Sequence, residues 1–180
     1  MSDKKYSLFI PPANIVNKVP NEWTNGEAKE YLEWLLQIHV ERVNGLLAYF
    51  AENLNDAPEE VLDRIGAKIA KTLQTEEFSC LIDGKPKLTN KGYALAADIG
   101  LLVADFILQK YYPVVTWKIV TRPKSDIDFH KPVLTNIGHE TFDPIRVSIA
   151  NAIDILKGHK QSDIWKTTYM YCKEAIEGEH

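Results

Sequence analysis

The chain reads as an α+β domain, mainly helical, with about five helices packed around a small antiparallel sheet. Three observations predict this. The stretch Leu88–Gly158 runs from one long, almost wholly apolar helix through two short β-branched segments to a sharply started amphipathic helix. Two segments before it and one after it place apolar residues at helical spacing. The 180 residues, 45% apolar and 26% charged, are enough for a single domain with its own core.

Residues 1–21 are expected to be irregular, because Pro11, Pro12 and Pro20 rule out helix. Within them Tyr6–Ile10 suits an edge strand. Thr24 and Glu27 have the spacing of a capping box, so a helix should begin near Asn25. Leu32, Leu35, Leu36, Val43, Leu46, Leu47, Phe50 and Leu54 form its apolar stripe, widened by Tyr31, Trp34 and Ile38. His39 falls on that stripe and reads as a core or boundary histidine. Asn55–Pro58 breaks the helix, and Pro58 fits the first turn of the next, where a missing N–H costs nothing. Leu62, Ile65, Ile69 and Leu73 form the buried face there. The short connection predicts an antiparallel helical hairpin over 24–75.

Phe78–Ile82 is a strand candidate and Asp83-Gly84 a turn signal. The segment 88–177 is the α+β unit. Its first helix opens at Leu88–Gly92 and is apolar nearly all round. Lys91, Asp98, Asp105 and Gln109 lie seven, seven and four residues apart, which puts them on one stripe and predicts a single wet edge. Pro113 ends the helix. Val114–Val120 and Pro132–Ile137 are strands, and the polar loop 121–131 is too short for a crossover helix, so they should pair antiparallel. Asp143-Pro144 starts the next helix, with Ile145, Ile149, Ala152, Ile153 and Leu156 as its stripe and Gly158 as its stop. Ser162 caps a last helix whose buried face is Trp165, Thr168, Tyr169, Cys172 and Ile176. Residues 177–180 should fray.

Composition narrows the function. A net charge of −4 argues against a broad nucleic-acid or membrane surface, but leaves room for one basic patch. The two cysteines, Cys80 and Cys172, are too few for a disulfide scaffold and read as reduced core thiols. The opening residues lack the apolar run of a signal peptide, and Asp98 and Asp105 interrupt the longest apolar stretch, so a cytoplasmic location is expected. No glycine-rich phosphate loop and no hydrolase serine elbow occurs, and no cofactor is implied.

Three constellations could carry chemistry. Asp126, Asp128 and His130 alternate, so in an extended segment they would point the same way and offer a mixed oxygen and nitrogen set for Zn²⁺, Mn²⁺ or Fe²⁺. His139 and Glu140 would approach them across a hairpin. On this reading the chain is a metal-dependent hydrolase; the competing reading is a solvated loop whose aspartates hold turns. Asp98 and Asp105 could act as a carboxylate pair, but seven helical residues separate them by about 10 Å, which is wide for one bond. Trp117, Lys118, Arg122, Lys124, Asp126, Asp128, Phe129 and Lys131 form a basic and aromatic cluster suited to an acidic protein partner.

Asp98-Ile99-Gly100 in an apolar helix, Val115-Thr116-Trp117-Lys118 in one strand, Pro132-Val133-Leu134 opening the next, and a helix from Asp143-Pro144 to Gly158 form a pattern spanning about Leu88–Lys160. It resembles small bacterial domains of unknown function, some of which look like the immunity proteins of polymorphic toxins. The resemblance implies a non-enzymatic module that binds a protein, a toxin domain being the case in point. The cluster on the 117–131 hairpin is the expected contact surface.

Overall fold

The computed structural model describes residues 6–178. Five helices surround two small antiparallel sheets, as the α+β reading expects. Helix α1 (Asn25–Phe50) starts on the expected box: Thr24 Oγ1 accepts the Glu27 N–H, and Glu27 accepts from the Thr24 N–H. Helix α2 (Pro58–Thr72) carries Pro58 in its first turn, and α3 (Asn90–Tyr111) is capped by Thr89. Helix α4 (Pro144–Leu156) is capped by Asp143, whose carboxylate accepts the Arg146 N–H. Helix α5 (Ile164–Glu177) buries Trp165, Tyr169, Cys172 and Ile176.

Strands β1 (Ser79–Ile82) and β2 (Lys85–Leu88) form a hairpin. Asp83 and Gly84 both take positive φ at its turn, the geometry two-residue hairpins favour. Strand β3 (Trp117–Ile119) pairs antiparallel with β4 (Pro132–Ile137), which pairs in turn with β5 (Glu140–Phe142). The first of these pairings was expected; β2 and β5 were not. Residues Tyr6–Ile10 join no sheet. The residues beyond Gly178 lie outside the described part, and Glu177 is not frayed: its carboxylate accepts from Lys110 and Tyr111, both at 2.6 Å.

Helix α3 is the axis of the core. By length and composition alone it could cross a membrane, but most of it is covered by protein. Its closest neighbour is α4, and α1 also lies on it. Gly100 permits the α3–α4 approach, because a Cβ there would sit 2.4 Å from the Pro144 carbonyl oxygen. The hairpin expected over 24–75 needs correction: α1 packs chiefly on α3 and α2 chiefly on α5. A small second cluster of Ile15, Trp23, Ala28 and Ile119 fastens the N-terminal segment and β3 to the start of α1.

The wet edge of α3 also needs correction at one position. Asp98 is only 1% exposed, and Arg42 of α1 is 8% exposed. The guanidinium grips the carboxylate through Nε at 2.8 Å and Nη2 at 2.5 Å. Tyr6 donates its hydroxyl to the same carboxylate at 2.5 Å. The rest of the Arg42 fork donates to the Ser7 and Leu8 carbonyls and the Ser7 hydroxyl. A buried charge pair thus straps the N-terminal segment across α1 and α3. Burial pushes the Asp98 carboxyl upward against the opposing pull of Arg42 and Tyr6, and it pushes the Tyr6 hydroxyl well up. Asp105, one turn pair further along, lies 2.8 Å from His39 Nε2 as an ion-pair contact rather than a well-aligned hydrogen bond.

Candidate protein-binding surface

The loop between β3 and β4 folds back into a closed arm. At its neck the Val120 carbonyl accepts the His130 N–H at 2.7 Å, and the Val120 N–H donates to the Lys131 carbonyl. Three anchors fix its returning limb. Asp128 is buried and accepts from Arg146 of α4, through Nε at 2.8 Å and Nη2 at 3.3 Å. The His130 ring, held at a positive φ, sits between the Pro20 carbonyl at 3.2 Å and Asn25 Oδ1 at 2.9 Å. Phe129 is buried with its ring stacked on His130 at 3.8 Å. Asp126 holds a turn by accepting the Asp128 N–H, and Lys131 donates to the Ile127 carbonyl.

The metal reading is therefore corrected. The alternation that would aim Asp126, Asp128 and His130 together requires extended backbone, and the left-handed residue at His130 breaks it. Asp128 turns to Arg146, His130 to Asn25, and Asp126 to its own backbone. Among the described residues no group of three His, Cys, Asp or Glu side chains stands close enough to hold a metal ion. His139 and Glu140 sit at the β4–β5 turn and are exposed.

The contact set divides in two. Lys118, Arg122 and Lys124 are exposed, and none has an acidic partner among the described residues. Ile127 is exposed beside them. Trp117 and Lys131 are half-buried; Asp128 and Phe129 are inside and hold the arm rather than contact anything beyond it.

Sequence reasoning missed Arg42 and Arg146, the two guanidiniums that neutralise the buried carboxylates. Arg42 carried a readable signal. Leu35, His39, Arg42 and Leu46 follow helical spacing, so a charge stood on the buried stripe and demanded a partner. Arg146 gave less, being three residues beyond a capping aspartate. Burial, with Asp128 nearby, pushes the Asp143 carboxyl to about 6.

Comparison with known proteins returns no match: no family model, no curated protein and no solved structure corresponds to this chain. The local chemistry alone must carry the functional reading.

Two hollows lie along one face of α4, the first of them at the neck of the arm. One, of about 230 Å³, lies among Pro20, Trp23, Tyr31, Pro132 and Ile149, with Lys131, Asp143 and Arg146 on its rim. The other, of about 430 Å³, lies between Leu8–Ile10, Tyr93 and the same face of α4. They share Tyr31, Ile145 and Ile149. A third, of about 220 Å³, borders the Arg42–Asp98 pair, whose hydrogen-bonding capacity is already used within the fold. Of the two thiols, both free, Cys172 is buried as expected and pushed up to about 12 by that burial, whereas Cys80 departs from expectation and is exposed on β1.

Proposed function

We propose that this chain is a non-enzymatic module that binds an acidic protein surface, and that it neutralises a cognate bacterial toxin as the immunity proteins it resembles would. One observation carries the reading. Two unpartnered cations, Arg122 and Lys124, stand on a loop whose returning limb is pinned by Asp128, Phe129 and His130, and a third, Lys118, stands on the adjoining strand β3, in a chain whose net charge is −4. Elsewhere several cations meet acids: Lys68 with Glu52, Lys166 with Asp63, Lys173 with Glu59. Cations left unpaired beside a limb anchored within the fold are suited to steer an oppositely charged partner, and the anchoring lowers the ordering cost of docking.

The remaining titratable clusters favour the same side. Arg42, Asp98 and Tyr6 saturate one another, as do Asp128 and Arg146. Groups that satisfy each other so fully build a fold rather than a reaction centre.

Co-expression with the product of the neighbouring gene tests the proposal. A tight complex is expected, with an association rate that falls as salt rises and falls at least tenfold in the Arg122→Glu, Lys124→Glu variant. Absence of binding by any neighbouring product, or binding indifferent to both salt and variant, overturns it.

A further inference from the structure

The stripe of α4 packs on the core as its periodicity predicts, but part of it is left half covered. Ser148, Asn151, Ala152 and Ile155 are the residues inside, while Ile145 and Ile149 are only half covered and look into the two hollows along this face. Tyr31 stands where the hollows meet. Its ring is braced by Trp23 and Trp34, at centroid distances of 4.9 Å and 5.3 Å, and its hydroxyl has no hydrogen-bond partner among the described residues. The result is an apolar trough with one free polar group in its floor and a cationic arm at one end.

We infer that this trough seats an acidic, amphipathic segment of the partner, its apolar side chains filling the hollows and its carboxylates meeting Arg122 and Lys124. The inference rests on the binding function proposed above and names the partner's chemistry. Size supports it. An apolar cavity of about 150 Å³ already admits a benzene ring. The 230 Å³ hollow therefore takes one aromatic side chain, and the 430 Å³ hollow takes a second large residue. Geometry supports a chain rather than a small molecule. Small-ligand sites enclose most of their ligand, and neither hollow here is enclosed. Charge selects the acidic kind. Lys131 and Arg146 on the rim are already matched by Asp128 and Asp143, which leaves the arm as the unmatched charge. Lys124 lies four residues from the neck at Val120, within about 14 Å along the chain, which a segment of a few residues spans.

The probe is a display library of random 12-residue peptides selected on the immobilised full chain, followed by anisotropy measurements on the enriched peptides. Enriched sequences should combine two or more Asp or Glu residues with an aromatic residue or leucine. They should bind at least tenfold more weakly to the Ile145→Ser, Ile149→Ser variant and to the Arg122→Glu, Lys124→Glu variant. Should the serine pair lower the melting temperature sharply, Ile149→Ala replaces it, with at least a threefold loss expected. If the arm variant loses binding but the trough variants do not, the trough assignment falls while the acidic-partner reading stands. If the trough variants lose binding and the arm variant does not, the acidic segment is refuted. If no acidic sequence is enriched, both fall. If Nile red lights up in the trough and no peptide is enriched, the hollow is a small-molecule site and the inference is overturned.

Discussion

Replacing Arg42 by alanine should cost this protein about 3–5 kcal/mol, the range for breaking one side of a buried ion pair. The structure says where the loss arises. Asp98 would keep its burial and lose both guanidinium bonds, leaving Tyr6 as its one hydrogen-bond donor. Ser7 and Leu8 are exposed, so water can replace Arg42 at their carbonyls, and the loss concentrates on the carboxylate. The paired replacement Arg42→Met, Asp98→Leu, made together with Tyr6→Phe so that no buried hydroxyl is stranded, removes both charges and should come within about 1–2 kcal/mol of the parent, since a well-packed apolar set of similar volume is often neutral. Urea denaturation followed by circular dichroism measures both. With a slope of about 2 kcal/mol per molar, the alanine midpoint should fall by about 2 M and the paired midpoint by less than about 1 M. A loss below about 1 kcal/mol for Arg42→Ala would refute the reasoning. So would a paired variant as unstable as the single one, for then the geometry of the strap and not the stranded charge would set the cost.

Four further outcomes are expected. Gly100→Ala drives a methyl toward the Pro144 carbonyl and Ser148 Oγ, and should destabilise by about 2–3 kcal/mol, read as a fall of roughly 5–10 °C in melting temperature. Asp143 has a folded pKa raised from 3.8 to about 6, so the fold favours its protonated form; its contribution is complete below pH 4 and lost as pH rises through 6. Asp143→Asn keeps the cap, and its stability relative to the parent should improve by about 3 kcal/mol between pH 4 and pH 7 in denaturant titrations. Arg122→Glu with Lys124→Glu should leave the unfolding midpoint within about 0.5 kcal/mol of the parent, because neither cation has a partner to lose. One thiol, Cys80, should react with a chromogenic disulfide reagent in the native protein, and Cys172 only after unfolding.

Local signals in the sequence were reliable where one residue type has one job. The Thr24–Glu27 box, Pro58 and Asp143-Pro144 each mark a helix start that the structure keeps, because capping chemistry is settled within a turn. Long-range choices were less legible. Nothing in the spacing of α1 and α2 says that each will prefer a helix far along the chain, and strand β2 hides behind Pro86 and two lysines. The site suffered most. Asp126, Asp128 and His130 alternate on paper, but a left-handed residue and a guanidinium 18 residues away send the three side chains to separate partners. The polar stripe on α3 keeps Lys91, Asp105 and Gln109 at least partly in solvent, and only Asp98 is drawn inside, because its counter-charge comes from the middle of another helix.

The near-complete covering of α3 has a consequence for synthesis. Its apolar surface leaves the ribosome while α4 and α5, the elements that later lie on it, are still untranslated. A translation product stalled and released near residue 120 would leave uncovered the faces of α3 that α4 and α5 cover, on a segment with the bulk character of a bilayer-crossing helix. Such stalled products should be chaperone clients and aggregate readily, and a split of this protein between β3 and β4 should yield two insoluble pieces.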